Sequence, residues 1–233
     1  MIEFRNVTKG FSGRKVLDGV SFKINKGEIV FIIGLMKPDS GEVFVDGDDI
    51  THYSEAELFK VRRRCGMVFQ FPALLDSLTV YDNLAFGPRS HGEMTEDEIR
   101  ARIDQILPLL NLTDAIFEKM PSELSFGMQK RVSLARTLAI GPSHLLYDEP
   151  TTSLDPISMA AVNGLIAKLA RELNVTSIVV SHDMQCALAI ADRILMLEKG
   201  KIIAQGTIEE MRHSSVELVR DFLKEAEERV RGT

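Results

Sequence analysis

The sequence predicts an α/β fold with a parallel-sheet core, an antiparallel β part and an inserted helical lobe. Three observations carry this expectation. From His144 onward, fully apolar strands alternate with helical stretches, as in a parallel sheet covered on both faces. Residues 1–50 read as short strands and turns, and the middle third reads as helix inserted between the halves of the sheet. The expected organisation is one domain, 1–233, with a core at about 1–70 and 143–212, a helical lobe at about 71–142 and a C-terminal helix at about 214–231.

Each element has a local reason. Ile2–Val7 and Val20–Ile24 alternate like half-buried strands, and Asn25-Lys26-Gly27 reads as a hairpin-like connection. The apolar run Ile29–Ile33 ends on Gly34, as buried strands do when they deliver the chain to a phosphate site. Asp39-Ser40-Gly41 and Asp46-Gly47 flank a strand at Glu42–Val45, and a helix from about Ser54 to Arg63 leads into the strand Cys65–Phe69. Thr95 with Glu98 fits a capping box for a helix running to about Leu110. Pro121 starts a new segment, and Ser125 is a fitting N-cap for the helix Gly127–Ala139. Then come the strand of HLLYDEP, a helix over about Pro156–Leu173, the strand of VTSIVVSHD and a helix through Met184–Ala191. Strands Arg193–Leu197 and Lys201–Ala204 meet at Lys199-Gly200, and a charged helix closes the chain.

Composition narrows the function class. The 34 acidic against 28 basic residues give a net charge of −6, which argues against a dedicated nucleic-acid binder. No apolar run approaches the roughly 20 residues needed to span a bilayer, and the N-terminus MIEFRNVTKG lacks a signal-peptide pattern. The expectation is a cytoplasmic chain in which Cys65 and Cys186 are buried free thiols.

Chemistry-bearing residues gather at strand ends, where open α/β sheets bind ligands. Asp148 and Glu149 end one apolar strand, and adjacent carboxylates there suit Mg²⁺ coordination and polarisation of an attacking water. Taken alone they read more simply as two solvated acids at a strand end. His182 ends a second strand, where a neutral imidazole accepts from water or donates to a phosphate oxygen, although a lone histidine is commonly structural. Gln70 ends a third, and its amide can reach a metal or water. Ser125 begins a helix whose first amides are an anion site by geometry, or simply an ordinary cap.

The motifs VFQ, LSFGMQKR, LLYDEPTTSLDP and VVSHD, in that order, resemble the nucleotide-binding subunits of ABC transporters. The similarity runs from FSGRKVLDGVSF to KGKIIAQG, and PSEL before the Met-bearing signature is closest in style to bacterial Mce/Mla-type lipid transporter ATPases. The resemblance implies a P-loop-type core. It also implies an ATP-binding subunit with ATP and Mg²⁺ as cofactors, closing head-to-tail as a homodimer or with a paired subunit. Such a pair would drive integral membrane permease subunits from the inner face of the cell membrane. Residue by residue, Phe11 matches the aromatic that stacks on adenine, with Val16 near the ring. Gln70 matches the residue contacting Mg²⁺ or the attacking water, Asp148 the metal-side aspartate, Glu149 the catalytic base and His182 the switch histidine. Ser125 and Gly127 match the signature that caps ATP on the other subunit, Asp155 matches the loop crossing the dimer interface, and Phe71 to Pro88 would lie near the permease's coupling helices.

The chain departs from the family at the phosphate loop. G-x-x-x-x-G-K-[ST] should begin near Gly34, yet none of the twelve lysines is followed by Ser or Thr. The loop and the helix it opens, about fifteen residues in the family, are absent. The expected consequences are weak nucleotide binding, uncovered apolar strand faces, and a step too short for the crossover of a parallel pair. Phe126 stands where the signature has glycine, and Ser153 replaces the glycine before LDP. Two origins fit: a transporter ATPase with a segment missing, or a degenerate partner subunit that no longer hydrolyses ATP. A soluble relative acting on ribosomes or DNA fits less well, because those usually carry two nucleotide modules.

Overall fold

A computed structural model describes residues 1–12, 14–31, 39–152 and 154–231. Gly34, Leu35–Pro38 and Ser153 lie outside the described residues. Two compact units result: residues 1–62 with 151–233, and residues 63–150.

The first unit begins with β1 (Ile2–Phe11) and β2 (Arg14–Ile24), an antiparallel hairpin in register Ile2↔Ile24 and Phe11↔Arg14. Both strands are longer than the sequence pattern indicated, because bulges between Phe4 and Gly10 interrupt the alternation. The short β3 (Ile29–Phe31) follows the turn at Lys26-Gly27, then β4 (Ser40–Val45), β5 (Asp48–Asp49) and α1 (Glu55–Arg62). β4 pairs antiparallel with β1, Ile2 opposite Val45. This corrects two expectations. Asn25–Gly27 joins strands of different sheets and is no hairpin, and β3 to β4 needs no parallel crossover because β4 leaves the parallel sheet.

The second unit opens with β6 (Cys65–Val68). Helix α2 (Val80–His91) is capped by Thr79, and α3 (Glu96–Ile106) carries the expected capping box of Thr95 and Glu98. α4 (Phe126–Ala139) is capped by Ser125 as expected, and β7 (His144–Asp148) ends the unit. Its core is Leu84, Ile99, Ile103, Leu110, Leu138 and Tyr147, all fully buried.

Back in the first unit come α5 (Pro156–Leu173), β8 (Thr176–Val180), α6 (Met184–Ile190), β9 (Arg193–Glu198), β10 (Lys201–Gly206), α7 (Ile208–Arg212) and α8 (Glu217–Arg231). The strand order β10-β9-β3-β8 places β3 between two parallel partners, Ile29 opposite Ser177 and Val30 opposite Arg193. Val30, Ile178 and Leu195 join Val7, Val20 and Ile24 in one apolar cluster. The faces expected to lose their cover are therefore buried at Ile29 and Val30. Cys186 is buried with its Sγ donating to Asn163 Oδ1 at 2.7 Å, whereas Cys65 is only partly buried, contrary to expectation.

Candidate functional site

In the second unit, β6 and β7 run parallel with Val68 opposite Tyr147. Gln70 and Glu149 each lie two residues past that pair, so both follow the C-terminal ends of paired parallel strands. Asp148 is the last residue of β7. Leu145 and Tyr147 are fully buried, which fixes the strand in the core ahead of the acids at its tip. Glu149 has φ +47°, a left-handed backbone that non-glycine residues rarely adopt and that gathers at functional sites.

The same unit presents the start of α4. Ser125 Oγ accepts from the Met128 amide at 3.4 Å, and Gln129 Nε2 donates to the carbonyls of Pro121 (2.9 Å) and Leu124 (3.2 Å). Ser125, Phe126 and Gly127 are all exposed, and a Cβ on Gly127 would meet open space. Phe126 is the first residue of the helix and has no left-handed φ, so its backbone does not need the freedom of the glycine it replaces.

In the first unit, β8 delivers Ser181 and His182, and Asp183 caps α6 by accepting from the amides of Gln185 (2.9 Å) and Cys186 (3.3 Å). Thr151 Oγ1 donates to Asp183 Oδ2 at 3.5 Å. A cavity of about 520 Å³ opens here, lined by Thr151, Leu154, His182, Asp183, Gln185 and Phe222. Asp155 caps α5, accepting from the amides of Ile157 and Ser158, each at 3.0 Å, and from Ser158 Oγ at 2.5 Å. The Ser158 hydroxyl, then the helix amides, hold the Asp155 carboxyl below the usual carboxylate range.

Phe11 ends β1 beside the hairpin turn, and both Phe11 and Val16 are exposed, 41% and 44%. Lys9 Nζ lies 4.9 Å from the centre of the Phe11 ring and donates to Asp39 Oδ1 at 2.6 Å. Asp39 Oδ2 also accepts from the Gly10 amide at 2.7 Å. Sequence reasoning missed Asp39, whose partners lie about thirty residues away and leave no local signal. It also missed Asp183, although an Asp directly before an apolar helix is a legible cap. No group of three His, Cys, Asp or Glu residues among the described residues could hold a metal ion. No helix among them is long and apolar enough to cross a membrane.

The ABC transporter family pattern matches residues 31–152. The intermembrane phospholipid transport system ATP-binding protein MlaF of Haemophilus influenzae is 40% identical over 239 residues, covering 96% of this chain and 90% of its own. The methionine import ATP-binding protein MetN of Carboxydothermus hydrogenoformans is 37% identical, covering 89% of this chain and 66% of its own. CbiO1 of Clostridium perfringens, part of an ABC transporter complex, superposes with a TM-score of 0.83 at 30% identity, covering 94% of this chain and 93% of its own. The dimeric ATP-binding cassette MJ0796, bound to ADP and Pi, superposes at 0.76 with 31% identity, covering 89% of this chain and 99% of its own. The fold, the strand-end acids and these relatives agree that the chain belongs to the ABC transporter family, as a nucleotide-binding subunit.

Proposed function

We propose that the chain is the ATP-binding subunit of a lipid-transporting ABC system, descended from an active ATPase but impaired in its own grip on ATP. One observation carries the descent: Gln70 and Glu149 each follow, by two residues, the last pair of two parallel strands, with Asp148 just before Glu149. A chain released from catalysis has no physical reason to keep that set together. The identity to MlaF over nearly the whole chain supports lipid as the cargo.

In this reading Glu149 polarises the attacking water, and Gln70 and Asp148 face the metal side. His182 contacts the γ-phosphate, and the exposed Phe11 and Val16 receive the adenine. Ser125, Gly127 and Asp155 face the ATP of the partner subunit in a head-to-tail homodimer or pair. MgATP supplies the cleavable phosphoanhydride and the cation that screens it. Magnesium is commonly held by one or two carboxylates plus phosphates. That fits a chain whose described residues offer no cluster of three metal-ligating side chains. The pair of subunits drives an integral membrane permease from the cytoplasmic face. The domain is single, with a RecA-like core at about 1–70 and 143–212, a helical lobe at about 71–142 and a C-terminal helix at about 214–231.

The impairment rests on what is missing. Without the loop's amides, lysine and hydroxyl, several charge-assisted hydrogen bonds of roughly 1.5–3 kcal/mol each are lost, which is several orders of magnitude in affinity. The MlaF comparison supports the same reading. Its alignment is 239 positions long while 96% of this 233-residue chain is about 224, so about 15 positions of the relative have no counterpart here. The alternative, a degenerate non-hydrolysing partner subunit, is favoured by the same missing loop, by Phe126 standing in the signature and by Ser153 before LDP.

Affinity purification of the full chain from detergent-solubilised membranes tests the assignment. Recovery with membrane permease subunits supports it, and recovery with ribosomes or DNA contradicts it.

A further inference from the structure

Lys130 stands one turn into α4, four residues after Phe126. Its ammonium donates to the Pro150 carbonyl at 2.7 Å and lies 5.4 Å from the centre of the Phe126 ring. A lysine on a helix surface ordinarily extends its charge into water. This one is half-buried, and burial pushes its pKa down. Pro150 follows Glu149, whose left-handed φ of +47° persists only where neighbours over-determine it. Proline has no N–H to donate, so its carbonyl is the one backbone hydrogen-bonding group that residue offers at the turn.

We propose that Lys130 is a positioning residue that holds the Pro150 carbonyl and, through it, the left-handed turn at Glu149, with Phe126 seating its ammonium. The start of α4 and the acid pair are thereby joined inside one subunit. This inference rests on the reading of Glu149 as the base and of the exposed start of α4 as facing the partner's nucleotide. On that reading, whatever engages Phe126 displaces Lys130 and then Glu149. One nucleotide site thus reports to the other across a single side chain. The chain's departure from the signature glycine becomes part of the link.

The test uses backbone amide NMR of the full-length chain without nucleotide. The Thr151 amide shares its peptide unit with the Pro150 carbonyl and reads that hydrogen bond directly. Lys130→Met should shift the Thr151 and Glu149 amides while leaving Thr95 in place, and Lys130→Arg should return both most of the way. Unmoved amides in Lys130→Met, or shifts that Lys130→Arg does not reverse, overturn the proposal. Where Lys130→Met fails to fold, Phe126→Leu keeps the proposal falsifiable. Loss of the aromatic ring should move the Lys130 ε-methylene signal together with the Thr151 amide, and a move of the first without the second overturns it. These readouts need no nucleotide, so their failure is distinct from failure of ATP binding.

Discussion

Asp39 takes hydrogen bonds from the Lys9 ammonium and the Gly10 amide, and so ties the strand that ends in Phe11 to the first described residue after the 32–38 segment. The Lys9 hydrogen bond, and after it the Gly10 amide, hold the Asp39 carboxyl below the usual carboxylate range. A depressed folded pKa stabilises above the unfolded value of about 3.9, and that contribution fades as pH falls through the folded pKa. Carboxyl-carbon NMR should show Asp39 titrating below an unstructured aspartate, and Lys9→Met should raise it. An Asp39 titration unmoved by Lys9→Met contradicts the pairing.

Asn83 is fully buried and serves four backbone groups. Its Oδ1 accepts from the Leu75 amide at 2.8 Å, and its Nδ2 reaches the carbonyls of Leu75, Leu78 and Thr79 at 2.9–3.1 Å. Asn83→Ala strands these groups at about 1–3 kcal/mol for each one left unsatisfied. Urea unfolding of the full chain should show a lower midpoint at unchanged slope.

Two glycines should respond in opposite ways. Gly41 has φ +94°, and a Cβ there would lie 2.4 Å from the Asn6 carbonyl oxygen. Gly41→Ala should therefore cost more than about 1 kcal/mol by thermal unfolding. Gly127 faces open space near the start of a helix, where alanine gains up to about 1 kcal/mol over glycine. Gly127→Ala should leave stability unchanged or raised. Any loss of nucleotide-driven dimer closure in a loop-restored chain then reports on contact with the partner's nucleotide.

The two thiols should differ as well. Cys186 is buried and bonded to Asn163, whereas Cys65 is partly exposed. A thiol-modifying reagent should label Cys65 first in the native chain and Cys186 only on unfolding. Equal rates would contradict the placement of α6.

Strand ends and helix caps were legible because each is written locally. Thr95-x-x-Glu98, Ser125, and apolar runs closing on Asp148 and on Ser181-His182 all declare themselves within a few residues. Helix α2 was not, because Gly87 and Pro88 near its end read as breakers; Thr79-x-x-Asp82 and Gly92 were the available signals. The turn at Asn25–Gly27 misled because the same residues serve a hairpin and a step between sheets, and only the pairing of β4 with β1 decides. Asp39 and Lys130 were invisible, since each acts on a group about twenty or thirty residues away.

Restoring a phosphate loop and its helix after Gly34, together with Phe126→Gly, should recover nucleotide binding. In that background Glu149→Gln should hold ATP without cleaving it. The most direct measurement is calorimetric titration of MgATP into the unaltered chain, its mass first confirmed as 26.0 kDa. Binding weaker than about 1 mM, above the usual micromolar-to-millimolar working range of enzymes, is expected. A stoichiometric complex at micromolar strength would contradict the claim that the phosphate grip is gone.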